Sequence, residues 1–190
     1  MYNDLFQGER VRLTAEEAQV LADAMSKWSR DTEYWRLLAS DAAHTFSVKS
    51  SKEWFEKELV KENPERFFFA IRRLEDDQLI GVIDLGGIQW THGDAFVAIG
   101  LGEREYWGKG YGTDAMRVIL RYAFTELNLH RVSLDVFEYN PRAMKAYEKA
   151  GFGYEGRTRG MLLRDGKRWD MIFMGILREE WERRNGSKII

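Results

Sequence analysis

Three glycines in five positions, Gly108, Gly110 and Gly112, separate the apolar, strand-length run "AFVAIGLG" from a helical pattern. That pattern spans about Gly112 to Leu127, with Ala115, Met116, Ile119, Leu120, Ala123, Phe124 and Leu127 on one face, and the β-rich "RVSLDVF" follows it. A strand, a helix and a second strand in this order need a crossover connection, so the two strands run parallel in one sheet. The same loop exposes backbone N–H groups beside the positive end of the helix dipole, and the missing Cβ atoms let a ligand come close. One short stretch thus predicts both a parallel strand pair and a phosphate-type anion site.

The flanks set the rest of the architecture. "RFFFAIRR", "LIGVIDLGGIQ" and "AFVAIGLG", parted by the turn-like "LEDDQ" and "WTHGD", read as sequential antiparallel strands. Upstream, "ERVRLT" alternates as a strand, and Thr14 with Glu17 forms a capping box for a helix from Ala15 to Trp28. A short helix follows at Glu33 to Leu38. Ser50 and Glu53 repeat the capping signal before "KEWFEKELVKE", whose apolar positions are Trp54, Phe55, Leu59 and Val60. Downstream come a helix from Pro141 to Ala150, stopped by Gly151, and a hairpin from Gly153 to Ile176 turning at Asp165-Gly166. Both prolines, Pro64 and Pro141, fall at element boundaries, and no repeat or linker interrupts the chain, which predicts one domain over residues 1–190. The fold class is α/β of the α+β kind: a largely antiparallel mixed sheet with one central parallel βαβ crossover and helices on both faces.

Composition narrows the function classes. The 29 basic and 31 acidic residues leave a formal charge of -2, so no global cationic field points to nucleic acid or to a membrane surface. No apolar run approaches the roughly 18 residues of a membrane span, and "MYNDLFQGER" lacks a secretory layout, which predicts a cytoplasmic protein. Zero cysteines exclude disulfides, thiolate metal sites and a nucleophilic thiol of the chain's own. His44, His92 and His130 show no ligand spacing, and no metal is expected.

Three classes of glycine loop compete for the phosphate ligand. A P-loop fails, because Lys109 is followed by Gly110 and the position five before Gly108 is Glu103. The dinucleotide fingerprint fits better: Gly110 to Ala115 satisfies GxGxxA, and Asp135 lies twenty residues beyond. Its usual home is the first unit of a doubly wound sheet, whereas antiparallel strands precede it here. The third class emerges from the joint pattern. "AFVAIGLGEREYWGKGYGTDAM", "LNLHRVSLDVFEYNPRAMKAYEKAGF" and "RDGKRWDMIFMGIL" together resemble the GNAT superfamily of acetyl-CoA-dependent N-acetyltransferases, closest in look to its ribosomal-protein N-terminal and polyamine branches. The resemblance covers about Phe67 to Trp181 and implies the GNAT-like acyl-CoA N-acyltransferase fold.

What the resemblance implies can be followed residue by residue. In the family loop, Arg/Gln-x-x-Gly-x-Gly/Ala, Gly110 and Gly112 take the glycine places and Trp107 stands where Arg or Gln is usual. Gly108, Lys109, Gly110, Tyr111, Gly112 and Thr113 would cradle the pyrophosphate. Gly100, Leu101 and Gly102 would pair with the pantetheine arm, and glycines there also suit a bulge. Asn140 would touch the arm through its amide while serving as N-cap of the Pro141 helix. Tyr147 in "AYEKAGF" matches the catalytic tyrosine: a departing thiolate, from a thiol of pKa about 8.5, needs a proton that a phenol of pKa about 10 can supply. Without the motif, a tyrosine that simply packs that helix onto the sheet would be the better reading, and Phe152 reads as core.

The attacking amine must also lose a proton. Asp84 is the first candidate base and Glu33 the second, each open to a structural reading. Glu33 and Tyr34, with Trp35, lie where the family varies to form acceptor pockets. The implied reaction moves an acetyl group from acetyl-CoA directly to a primary amine: a protein N-terminus, a polyamine or another small amine. A non-catalytic CoA or nucleotide sensor and an NAD(P)-binding oxidoreductase stand as alternatives. Seven tryptophans and the β-rich C-terminal hairpin predict a homodimer.

Overall fold

The computed structural model describes residues 4–59 and 65–186, and in it seven strands form one sheet in the order β1-β2-β3-β4-β5-β7-β6. The strands are β1 (Val11–Thr14), β2 (Phe67–Arg73), β3 (Leu79–Gln89), β4 (Asp94–Leu101), β5 (Arg131–Phe137), β6 (Gly153–Arg164) and β7 (Lys167–Leu177). The helices are α1 (Ala18–Trp28), α2 (Thr32–Leu38), α3 (Val48–Leu59), α4 (Tyr111–Thr125), α5 (Pro141–Ala150) and α6 (Arg178–Asn185). Val60 and Pro64, assigned from sequence to a helix and an element boundary, lie outside the described residues, as do Met1 to Asn3.

β1 to β4 pair antiparallel in chain order, and α4 carries the chain across to the parallel neighbour β5. This order has one parallel pair among the described strands, so it is not the doubly wound sheet that the dinucleotide fingerprint requires. The β4–β5 register lasts only three residues: Asp94 with Arg131, Ala95 with Val132 and Phe96 with Ser133. Past Phe96, β4 continues to Leu101 and β5 to Phe137 without pairing with each other. The middle of the sheet therefore opens into a wedge whose two inner edges carry unpaired backbone groups.

Side-chain alternation puts the core on both faces. Val97 and Ile99 of β4 and Val132, Leu134 and Val136 of β5 pack with Ala115, Met116, Ile119 and Ala123 of α4 on one face. Ala70 of β2 and Val82 of β3 pack with Leu21, Trp28, Tyr34 and Phe55 of α1 to α3 on the other. The bulge suggested for Gly100 to Gly102 is absent: the β3–β4 register runs unbroken from Gly81–Leu101 to Gly86–Phe96 and shifts only between Gly86 and Gln89. The β6–β7 turn has positive φ at both Asp165 (51°) and Gly166 (74°), the conformation a two-residue hairpin favours.

Two capping expectations fail, one through a competing partner and one through an earlier helix start. α1 begins at Ala18 without a side-chain cap. The Thr14 hydroxyl instead donates to Glu16 Oε1 at 2.9 Å, and Arg72 binds both oxygens of that carboxylate. α3 begins at Val48, three residues before the expected start, and Ser47 Oγ accepts the Ser50 N–H at 3.1 Å.

Candidate active site

A cleft of about 750 Å³ fills the open end of the wedge. Its walls come from the end of β4 (Ile99, Gly100, Leu101), the loop and first turns of α4, the start of α5, and Tyr34, Leu37 and Leu38 of α2. Three stretches far apart in sequence, α2, the β4–α4 connection and α5, thus meet where β4 and β5 part.

The glycine loop behaves as its composition demands, with one exception. Gly108 (φ 72°) and Gly110 (φ 91°) take the left-handed region that a side chain would resist, whereas Gly112 is an ordinary helical residue. Gly110 is the N-cap of α4, and no side chain caps it, so the first amides of a 15-residue helix are left for another acceptor. The Arg10 Nε would lie 3.6 Å from a Cβ on Gly110, which sets a guanidinium beside that helix start. Arg10 is held there by Asp114. This buried carboxylate accepts the backbone N–H groups of Glu9, Arg10 and Val11 at 3.2, 2.8 and 3.1 Å. Arg117, Lys145 and Lys149 add positive charge to the walls.

Trp107 does not leave its position without a cation. Its indole Nε1 donates to the Leu101 carbonyl at 2.7 Å, and the Arg142 guanidinium from α5 stacks 4.0 Å from the ring centroid. Arg104 also lies over this ring, at 5.5 Å, but is bound by Asp31 and Glu33. Arg142 lines the cleft, has no carboxylate within ion-pair distance among the described residues, and has its pKa lowered by burial.

Of the residues singled out from sequence, Gly100, Leu101, Trp107, Gly108, Gly110, Gly112, Thr113, Asn140, Tyr147 and Tyr34 line this one cleft. Tyr147 is half-buried, with its ring edge-on to Phe152 at 6.2 Å. Burial, and then the charge of Asp135, push its phenol above the usual value, so it holds its proton. Asn140 caps α5 by accepting the Ala143 N–H at 3.2 Å, and its amide nitrogen has no partner among the described residues.

Five others stand outside the cleft. Gly102 lies beneath the Trp28 indole, and its N–H donates to Ile80 O at 2.9 Å. Lys109 points to solvent from the loop tip. Tyr111 packs edge-on against Tyr106 at 5.7 Å, under Arg73. Glu33 is held by Arg104 at 2.6 Å, and Asp84 by Arg66 at 2.8 Å. Burial raises the Asp84 carboxyl against the pull of Arg66. Arg10 and Arg142 gave no sequence signal, because each reaches the loop only through the tertiary fold. No group of three or more His, Asp or Glu side chains among the described residues could hold a metal ion.

The family model described as an acetyltransferase (GNAT) domain matches residues 10–153. The chain is 30% identical over 140 residues to an SPbeta prophage-derived N-acetyltransferase of Bacillus subtilis, covering 74% of this chain and 76% of that protein. It is 34% identical over 128 residues to spermidine N(1)-acetyltransferase of Vibrio cholerae, covering 66% of this chain and 71% of the relative. The crystal structure of a Vibrio cholerae spermidine N-acetyltransferase in complex with CoA and spermine superposes with a TM-score of 0.73 at 25% identity, over 90% of this chain and 96% of that one.

Proposed function

The chain belongs to the GNAT acetyltransferase family and is an acetyl-CoA-dependent N-acetyltransferase, and from that premise we propose that it acetylates a small primary amine of the polyamine kind in the cleft between β4 and β5. The observation that carries this reading is the meeting, in one cleft, of the uncapped start of α4 and the proton-holding Tyr147.

Acetyl-CoA fits these walls. Its pyrophosphate finds the free amides of α4, the cradle of Gly108 to Thr113, and the guanidiniums of Arg10 and Arg142. Its arm finds the inner edge of β4 at Ile99 to Leu101, where β5 no longer pairs and the Trp107 indole holds the Leu101 carbonyl, as an added strand would. The neutral amine attacks the thioester carbon, a C–N bond forms and the C–S bond breaks. The Tyr147 phenol gives the departing thiolate its proton, and the surplus proton that the acylated nitrogen sheds returns the phenolate to phenol.

The ammonium must first release a proton, and Asp84 is the proposed acceptor. It lies on β3 in register with Ala98 of β4, beside the cleft and not in its lining, and burial increases its hold on a proton. Glu33, bound by Arg104, takes a place in the acceptor entrance instead. The vibrio relatives, named for spermidine, support the polyamine class.

In this reading the 190 residues act as one domain in the cytoplasm, without a metal. No helix among the described residues is long and apolar enough to cross a membrane. A homodimer is supported by the exposed Tyr154, Met161 and Leu163 on β6, the strand at one end of the sheet. The deciding experiment is thiol release from acetyl-CoA across a panel of polyamines, amino-terminal peptides and monoamines. Turnover confined to peptides would remove the polyamine assignment.

A further inference from the structure

Tyr34 has a hydroxyl with no hydrogen-bond partner among the described residues, although the residue is only 2% exposed. Buried polar groups are almost always paired, so an orphan donor in the wall of a ligand cleft calls for a partner that arrives with the ligand. The side chain is firmly placed. Asp31 caps α2 by accepting the Glu33 N–H at 3.0 Å and is itself gripped by Arg104. The Trp28 ring lies 6.0 Å away, centroid to centroid.

The oxygen is aimed at Gly100. A Cβ built on that residue would stand 2.8 Å from the Tyr34 hydroxyl, so the glycine makes room for it. Gly100 belongs to the stretch of β4 that has lost its parallel partner, and both residues line the cleft. Burial pushes the phenol well above its usual value, which keeps it a donor at every working pH.

We propose that the Tyr34 hydroxyl donates a hydrogen bond to a carbonyl oxygen of the acylated pantetheine arm as that arm lies along β4 beside Gly100. This rests on acetyl-CoA being the ligand of the cleft. It moves Tyr34 from the acceptor pocket, where the sequence placed it, to the acetyl donor, and leaves Glu33 on the acceptor side.

The test is Tyr34→Phe, which keeps the ring and deletes the donor. Calorimetric titration of the wild type and the variant with acetyl-CoA, CoA and adenosine 3′,5′-bisphosphate reads the contact, and thermal unfolding without ligand reads the fold. The variant should bind acetyl-CoA about three- to tenfold more weakly, the range for one neutral hydrogen bond. Its affinity for the bisphosphate, which has no arm, should stay at the wild-type value, and its unfolding temperature should be equal or higher, since no internal bond is lost. An equal loss for CoA assigns the bond to an arm amide, and an unchanged CoA affinity assigns it to the thioester carbonyl.

Unchanged acetyl-CoA affinity, an equal loss for the bisphosphate, or a lower unfolding temperature would each overturn the proposal. A wild-type protein that binds none of the three ligands would strike instead at the acetyl-CoA reading on which it rests.

Discussion

The Trp28 indole lies across Gly102 so closely that a Cβ on the glycine would stand 2.0 Å from the ring atom Cδ2. The ring cannot swing aside: it is 3% exposed, and its Nε1 donates to Glu103 at 3.1 Å. Gly102→Ala should therefore destabilise the protein by about 1–3 kcal/mol, the usual cost of overpacking a core. Denaturant unfolding measures this, and the folded fraction should bind acetyl-CoA normally because Gly102 is outside the cleft. An affinity loss without a stability loss would return Gly102 to the pantetheine contact.

Gly110 and Gly112 separate two roles that the loop sequence presents as one. Gly110 has φ 91° and the Arg10 Nε at 3.6 Å from its would-be Cβ, whereas a Cβ on Gly112 meets Leu101 Cδ1 at an ordinary 3.6 Å without any positive φ. Gly110→Val should weaken acetyl-CoA binding by about tenfold or more, through strain and obstruction of the anion cradle. Gly112→Ala should change it less than about threefold, an alanine being a better helix former. Paired titrations decide the matter, and equal effects would sink the distinction.

Arg142 has the indole of Trp107 under it and no acidic partner among the described residues. Arg142→Gln should lower acetyl-CoA affinity about 10- to 100-fold, as expected for a lost hydrogen bond to a charged group. Affinities measured from low to high salt should also depend less steeply on ionic strength in the variant. A slope identical to that of the wild type would mean that this cation never meets phosphate.

Tyr147→Phe should leave acetyl-CoA affinity within about twofold and reduce kcat by about 10²- to 10⁴-fold, the span of general acid catalysis. The phenol is raised by burial and by Asp135, so its ionisation should not limit the wild-type rate below about pH 10. The sign for stability follows from the same shift. The folded form favours the protonated phenol, so that contribution is intact below the unfolded value of about 10 and is lost as pH rises toward the folded one. Unfolding measured from pH 8 to 11 should show a shallower alkaline decline in the variant, and kcat unchanged under rate-limiting chemistry would dismiss Tyr147 as the acid.

Sequence carried the local features well, because each is written in neighbouring residues. Pro141 and Gly151 bound α5 where expected, Asp165-Gly166 makes the hairpin turn, and the crossover over α4 followed from strand-helix-strand order. Most of the losses involve distant partners. Asp114 reads as a first-turn acid on a helix, yet it spends its oxygens on residues more than a hundred positions away. Thr14 and Glu17 fit a capping box locally, but Glu16 takes the threonine hydroxyl and Arg72 takes Glu16. Asp84 shows no sign in sequence of the Arg66 guanidinium that the fold brings to it. Nothing in a one-dimensional pattern ranks such distant competitors.

The brevity of the β4–β5 register has a consequence for how this chain avoids its own kind. A row of unsatisfied strand groups is ordinarily an invitation to other chains, which can extend the sheet and seed aggregates. Here that row is internal: β4 is already paired with β3 and β5 with β7, and the gap lies between α2 and α5. The protein keeps an unfinished seam where a slender ligand can close it and a neighbouring sheet cannot.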